Sequence, residues 1–142
     1  MLRIFLSFRG EDRPAREELG RVVGAAMGVR FEDYPVNESS GEGWQSHCAT
    51  LIANTAGTIV LIGRNTWDSD AIRWEIKTAT GLDRRVLGIR LPAGPPEPPV
   101  EARALHVVEW DFELIGKELE SWIHATSPAT TSTTSPYLSG TR

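Results

Sequence analysis

The sequence has 142 residues, of which 40% are hydrophobic and 24% are charged, as in an ordinary globular domain. Its formal net charge of -4 argues against a nucleic-acid-binding protein, because such proteins usually carry a basic face. The single cysteine excludes an internal disulfide, and with three scattered histidines it makes a poor metal-ligand set. The apolar run at the start is too short for a signal peptide or a membrane span, so we expect a cytoplasmic protein without metal or membrane contact.

The first part of the chain predicts two strands and two helices. A nearly continuous apolar run predicts a strand over Leu2–Phe8 that is covered on both faces. Apolar residues then recur at helical spacing until Gly28, which suits a helix end. A second strand is predicted over Val29–Tyr34. The Pro-, Ser- and Gly-rich segment Pro35–Gly43 predicts a loop, and a second helix is predicted from Trp44.

The middle of the chain predicts another strand, loop, helix and strand. Thr58–Gly63 predicts the third strand and Asn65–Asp68 a polar loop. Ser69 or Asp70 is suited to cap the next helix, whose apolar residues lie three or four positions apart. Arg85–Leu91 predicts the fourth strand.

The last part of the chain predicts a stiff connection, a strand, a helix and a tail. Pro92–Pro99 holds five prolines and therefore no helix; we expect a connector, with a polyproline ligand as the alternative. Leu105–Trp110 predicts a fifth strand, and Phe112–Ile123 an amphipathic helix. We expect a domain over residues 1–125 and a disordered Ser/Thr/Pro-rich tail over residues 126–142.

Strands that alternate with helices predict a parallel α/β sheet, and five strands of this size predict a flavodoxin-like open sheet of order 2-1-3-4-5. Ligands of such sheets bind beyond the carboxyl ends of the strands, where the strand order reverses. Three segments are expected to meet there, between the first and third strands: Ser7–Asp12, Asp33–Gly43 and Gly63–Glu75.

Two motifs carry a resemblance to a known family. FLSFRGED, at Phe5–Asp12, resembles the opening motif of TIR domains, above all those of plants. LIGRNTWDSDAIRWEI, at Leu61–Ile76, resembles the short bacterial TIR-like proteins of the Thoeris anti-phage system, the ThsB family. With the five-strand pattern the resemblance covers about residues 1–125, and it implies a TIR-like fold.

The resemblance implies an enzyme that cleaves the bond between nicotinamide and ribose in NAD+, with Glu75 as the catalytic residue. It needs no cofactor besides NAD+ as substrate. Ser7, Phe8, Arg9 and Asp33 are expected to line the pocket, with Phe8 near the nicotinamide and either Arg9 or the loop amides near the phosphates. From the residues alone, a solvated helix carboxylate is the favoured interpretation of Glu75.

The family also implies partners. We expect an ADP-ribose-derived signal, cyclic or conjugated, that activates a separate effector in phage defence. We also expect self-association between TIR domains and a phage-derived trigger. We expect no effector domain in this chain, which favours a nucleotide signal that acts on another protein over direct action.

One position departs from the family pattern. Many TIR enzymes have Trp four residues before the catalytic glutamate, and here that residue is Ala71. Trp74 directly precedes Glu75, and Trp67, from the loop, is a candidate for the missing aromatic wall. We expect both tryptophans to bind the substrate. The departure keeps open a rival interpretation, a TIR-like interaction module without chemistry.

Two further possibilities are weaker. A response-regulator-like domain needs an acidic residue at the end of the third strand, where this chain has Gly63. A flavin site needs a Ser/Thr-rich phosphate-binding loop after the first strand, where this chain has the acidic segment Arg9–Asp12. The lone Cys48 lies on the apolar stripe of its helix and is expected to be a small buried hydrophobe. We expect no catalytic Cys-His pair, because His47 lies on another face of that helix.

Overall fold

The computed structural model describes residues 2–33, 43–96 and 103–126. The expectations for Tyr34, for the loop that contains Asn37, for the end of the proline-rich connector and for the tail from residue 127 lie outside these residues.

Five parallel strands form one sheet, in the order β2-β1-β3-β4-β5, as the sequence predicts. Each strand begins and ends within two residues of its predicted bounds. The strands are β1 (Leu2–Ser7), β2 (Val29–Glu32), β3 (Gly57–Ile62), β4 (Arg85–Arg90) and β5 (His106–Glu109).

Helices cover both faces of the sheet. They are α1 (Arg13–Leu19), α2 (Ala25–Met27), α3 (Trp44–Ala53), α4 (Asp70–Gly81) and α5 (Phe112–Thr126). The N-cap of α4 is Ser69, whose hydroxyl accepts a hydrogen bond from the amide of Ile72 at 3.2 Å.

The expectation of one regular helix before Gly28 is wrong. A π-helical segment, Gly20–Gly24, separates α1 from α2. Glycine at both ends of this segment weakens regular helix formation, because glycine loses more backbone freedom on folding than other residues. Short 3-10 turns also occur at Gly10–Asp12 and Thr66–Asp68, and the second lies inside the predicted polar loop.

The two faces of the sheet differ in composition. On one, which we call the apolar face, strand residues pack against α1, the π-helical segment and α5 in one cluster. Its buried members include Ile4, Leu6, Ile59, Leu61, Leu87 and Ile89 from the strands and Leu19, Val23, Ile115, Leu119 and Trp122 from the helices.

The other face, which we call the mixed face, packs against α3 and α4. Its apolar residues form two smaller clusters, one around Phe5 and Ile52 and one around Val60 and Ile76. Side chains alternate between the faces along each strand, so Ser7 lies on the same face as Phe5. The buried polar side chains of this face include Ser7, Thr58 and Glu75.

The two outer strands are short and charged. β2 and β5 have four residues each. Glu32 of β2 accepts two hydrogen bonds from Arg3 of β1, at 2.6 and 2.9 Å. Glu109 of β5 pairs with Arg90 of β4 at 2.8 Å. Ion pairs therefore join each outer strand to its neighbour.

Candidate active site

The Glu75 carboxylate lies between three elements of the mixed face. The Ser7 hydroxyl, at the end of β1, donates a hydrogen bond to Oε1. The Cys48 thiol, on α3, donates to Oε2 with a sulfur-to-oxygen distance of 3.3 Å. Only 7% of Glu75 is exposed, and Ser7 and Cys48 are buried. The two oxygens of one buried carboxylate therefore have donors on two different elements.

Periodicity explains why these three residues meet. Ser7 pairs with Val60 of β3 in the register of the sheet and follows Phe5 by two positions, so it lies on the mixed face. Cys48 precedes Ile52 by four residues on α3, and Glu75 precedes Ala79 by four residues on α4. Residues four apart share one side of a helix, so both side chains lie on buried stripes that contact the sheet.

Burial dominates the electrostatics of the cluster. Removal from water raises the pKa of Glu75 above its ordinary value of 4.5, and the hydrogen bonds from Ser7 and Cys48 oppose that rise. Burial, together with the charge and the hydrogen bond of Glu75, raises the pKa of the Cys48 thiol. The thiol therefore stays protonated and acts as a donor rather than as a nucleophile.

Two tryptophans adjoin this cluster. The Trp74 ring meets the Trp44 ring edge-on, with centroids 5.1 Å apart and an angle of 64° between the planes. Both rings pack against the cluster that contains Phe5 and Cys48. The structure thus brings together Ser7, Trp74 and Glu75 from the set predicted for the site.

Phe8 and Arg9 take other positions. Phe8 is buried in the cluster of the apolar face, and the Arg13 guanidinium lies 5.2 Å from the centroid of its ring. Arg9 forms a long ion pair with Glu11, at 3.8 Å. The structure does not bring Phe8 to Glu75, because alternation along the chain turns Phe8 to the opposite face from Ser7.

Asp33 and Trp67 also have partners away from Glu75. The Asp33 carboxylate lies 3.2 Å from Arg16 and 3.6 Å from Arg13, on the side of α1. Trp67 packs against the cluster around Val60 and Ile76. It also lines a separate cavity of about 210 Å³ whose other walls are Ile62, Arg90, Pro95, Pro96, Val107 and Glu109.

Sequence reasoning missed two contacts at the site's edge of the sheet. The first is Cys48, which was expected only to fill space. Its helix stripe was visible in the sequence, but nothing local could indicate that α4 would bring a carboxylate to that stripe. The second is the Asp12 carboxylate, which packs where a side chain of Gly63 would lie. A Cβ on Gly63 would be 2.6 Å from Asp12 Oδ1 and 2.7 Å from Asp12 Cγ.

Asp12 is itself unusual. Its Oδ2 atom is buried and has no hydrogen-bond partner among the described residues. Burial, and secondarily the charge of Glu11, raises the pKa of Asp12. Asp12 and Gly63 follow β1 and β3, the two strands between which the strand order reverses.

Neither a metal cluster nor a membrane span is evident in the parts of the chain that the structure describes. Within residues 2–33, 43–96 and 103–126, no group of three or more His, Cys, Asp or Glu residues is placed to hold a metal ion. No helix over the same ranges is long and apolar enough to cross a bilayer.

Comparison with known proteins supplies the family. The model of the family described as "Thoeris protein ThsB, TIR-like domain" matches residues 5–95. The chain belongs to this ThsB TIR-like family. The match covers both motifs and all three residues of the Glu75 cluster. A search of curated proteins finds no match.

Solved structures agree on the fold of this ThsB-family chain. The TIR domain of the Toll-related receptor TRR-2 from Hydra magnipapillata aligns with a TM-score of 0.59 and 16% identity, over 86% of this chain and 95% of that one. A CMP N-glycosidase from Clostridium botulinum, BcmB, aligns with a TM-score of 0.59 and 14% identity, over 83% of this chain and 98% of that one. A prokaryotic SEFIR domain aligns with a TM-score of 0.56 and 17% identity, over 99% of this chain and 100% of that one.

Proposed function

We propose that this TIR-like domain cleaves the N-glycosidic bond between nicotinamide and ribose in NAD+, with Glu75 as its catalytic residue. The observation that carries the proposal is the buried Glu75 carboxylate, which is held by Ser7 and Cys48 at the carboxyl end of β1. A buried carboxylate with a raised pKa, near the point where strand order reverses, is typical of a functional group rather than a solvated helix residue.

The chemistry needs one negative charge and no strong acid. When the bond from ribose C1′ to the nicotinamide nitrogen breaks, its electron pair leaves with nicotinamide, which becomes neutral. The ribose is left as an oxocarbenium ion, and an adjacent carboxylate stabilises that positive charge. Water then attacks C1′ and releases a proton to give ADP-ribose; attack by a nitrogen of the adenine gives a cyclic product.

The comparisons support this reaction class without testing it. The family model covers Ser7, Cys48 and Glu75. One solved structure of the same fold is described as a CMP N-glycosidase, so the fold accommodates cleavage of an N-glycosidic bond in that protein. For this chain, NAD+ is the substrate that the ThsB resemblance favours.

The same resemblance supports a signalling role. We propose that the product is an ADP-ribose-derived nucleotide, that it activates a separate effector, and that a phage-derived trigger starts its production in the cytoplasm. We also propose self-association of the domain. If copies complete each other's sites, nicotinamide release per molecule will rise with protein concentration.

The test is nicotinamide release from NAD+ by the wild-type protein and by Glu75→Gln, with infected-cell lysate present and absent. Glu75→Gln keeps the shape of the side chain and removes its charge, so we expect release to fall at least about 100-fold. Mass spectrometry of the second product would separate ADP-ribose from a cyclic isomer or a conjugate.

Glu113→Gln, on the exposed side of α5, is the matched control and should retain wild-type release. The acidic limb of the pH profile adds a second criterion. Because the ionised carboxylate is the active form, release should increase as pH rises through the raised pKa of Glu75. Equal release by wild type and Glu75→Gln would overturn the assignment of Glu75.

The alternative is a TIR-like interaction module that performs no chemistry. Two observations favour it: Ala71 occupies the position of the expected aromatic residue, and Trp67 packs in a different cluster from Cys48, which donates a hydrogen bond to Glu75. This alternative predicts no nicotinamide release under any condition, together with concentration-dependent assembly that Glu75→Gln leaves unchanged.

A further inference from the structure

The Glu75 carboxylate is held at both of its oxygens. The hydroxyl of Ser7 reaches Oε1 from β1, and the thiol of Cys48 reaches Oε2 from α3. The terminal torsion of a glutamate is broad, so a single hydrogen bond leaves the carboxylate plane free to rotate. Two donors on separate elements fix that plane relative to the sheet.

We propose that Cys48 is a positioning residue for Glu75: its thiol holds Oε2 while the Ser7 hydroxyl holds Oε1, and this two-point contact sets the direction of the carboxylate. The inference rests on the proposed function in that a fixed direction serves a reacting ribose. The contact itself is a property of the structure.

The chemistry of the thiol suits this role and no other role at the site. Cys48 is fully buried, and its neighbour is a carboxylate, so the thiolate form is disfavoured. A protonated, inaccessible thiol neither attacks a substrate nor reacts with an oxidant. The role left for the Cys48 thiol is therefore to donate a hydrogen bond.

A thiol is a weaker donor than a hydroxyl. Oε2 therefore keeps more negative charge than Oε1, and it is the oxygen better able to face a developing positive charge. Replacing the thiol by a hydroxyl at the same place strengthens the contact, whereas a methyl group removes it. Cys48→Ser and Cys48→Ala should therefore change the acidity of Glu75 in opposite directions.

The helices that carry Glu75 and Cys48 also carry other titratable groups. On α4, Arg73 pairs with Asp70 at 2.6 Å, and Lys77 is exposed. On α3, His47 precedes Cys48 and is exposed. Ser7 of β1 does not titrate in the relevant range. The direct contacts of Glu75 are thus dominated by one hydroxyl and one thiol.

The experiment measures the pKa of Glu75 by carbon-13 NMR of glutamate carboxyl groups, with assignment by Glu75→Gln. We expect Cys48→Ser to lower the pKa of Glu75 relative to wild type and Cys48→Ala to raise it. Ile52→Val, a packing change in the same cluster, is the control and should leave it unchanged. Equal pKa values of Glu75 in all four proteins, or shifts of the two Cys48 variants in one direction, would overturn the inference.

Kinetics provides the second readout. We expect Cys48→Ala to lower kcat for nicotinamide release by about 10- to 100-fold with little change in KM, because a misdirected carboxylate slows chemistry rather than binding. Cys48→Ser should recover most of kcat and move the acidic limb of the pH profile to lower pH.

The two proposals fail differently. Opposite shifts of the Glu75 pKa in a protein that releases no nicotinamide, with infected-cell lysate present as well as absent, would support the positioning of Glu75 and overturn the NAD+ reaction. Nicotinamide release that depends on Glu75 but shows the same kcat and pH profile in both Cys48 variants would support the reaction and overturn the role of Cys48.

Discussion

The two faces of the sheet bury different kinds of side chains against their helices. The apolar face buries one continuous hydrophobic cluster between the strands and α1 and α5. The mixed face divides its hydrophobic residues into two smaller clusters and buries Ser7, Thr58 and Glu75 beside them. Side chains alternate between the faces along each strand, and the strand positions on the mixed face include the polar residues Ser7 and Thr58.

The difference separates a face that supplies hydrophobic stability from a face that carries the candidate site. Burying a polar group costs about 1–3 kcal/mol unless its hydrogen bonds are satisfied, so such groups persist where they have a use. Ser7 and Glu75 satisfy each other, but Thr58 Oγ1 has no partner among the described residues.

The largest effect is expected on the apolar face. Leu61→Ala removes a fully buried side chain from the large cluster and should lower the free energy of unfolding by about 2–5 kcal/mol. Urea denaturation measures it. Leu114→Ala, whose side chain is 43% exposed on α5, should change stability by less than about 0.5 kcal/mol. Similar losses in both variants would show that the apolar face is not the main source of stability.

The next effect lies where the ends of β1 and β3 meet. Gly63→Ala places a methyl group against the Asp12 carboxylate and should cost about 1–3 kcal/mol by thermal or urea denaturation. Gly81→Ala, which would meet no atom within 4 Å, is the matched control. Adding Asp12→Ala to Gly63→Ala should restore stability. A loss that persists in the double variant would mean that the strain lies in the backbone instead.

Glu75→Gln should stabilise the protein as pH rises, which no substitution on the apolar face should do. Because burial raises the pKa of Glu75, the folded state binds its proton more tightly than the unfolded state. The stability from this group is fully present below the unfolded value of about 4.5 and is lost as pH rises through the folded value. Melting temperatures from pH 4 to pH 8 should show a growing advantage of the variant over wild type. An advantage that is constant with pH would contradict the raised pKa.

The smallest effect is expected at the edge of the sheet. Glu109→Gln breaks an ion pair with Arg90 in which the two side chains are 59% and 32% exposed. Solvent screening should limit the loss to less than about 1 kcal/mol. Repeating the denaturation at high salt should remove most of that difference. A larger, salt-independent loss would indicate that packing rather than charge holds β5.

The sequence predicts the sheet well because its signal is local. Each strand is a short apolar run between turn residues, and the order 2-1-3-4-5 follows from alternation with helices. Ser69 was predictable as a helix cap for the same reason. The π-helical segment at Gly20–Gly24 was not predictable in this way, because it depends on how a helix with two glycines packs against the neighbouring strands.

The site was predictable only in part. The motifs around Ser7 and Glu75 indicate two residues that the structure joins by a hydrogen bond. The motif that contains Ser7 also predicts Phe8 in the pocket, yet alternation along a strand directs neighbouring side chains to opposite faces. The loops that carry Asp33 and Trp67 predict a place for both in the site, but Asp33 pairs with Arg16, and Trp67 packs against the cluster around Val60 and Ile76.

The short outer strands have a consequence for assembly. An open sheet offers unpaired backbone groups along both edges, and long flat edges recruit strands from other molecules. Here each outer strand has four residues and carries charged side chains, with Glu32 on β2 and Glu109 on β5 tied to arginines of the neighbouring strands. Such edges are poor templates for aggregation, so copies of this domain would join through helices and loops rather than by extending the sheet.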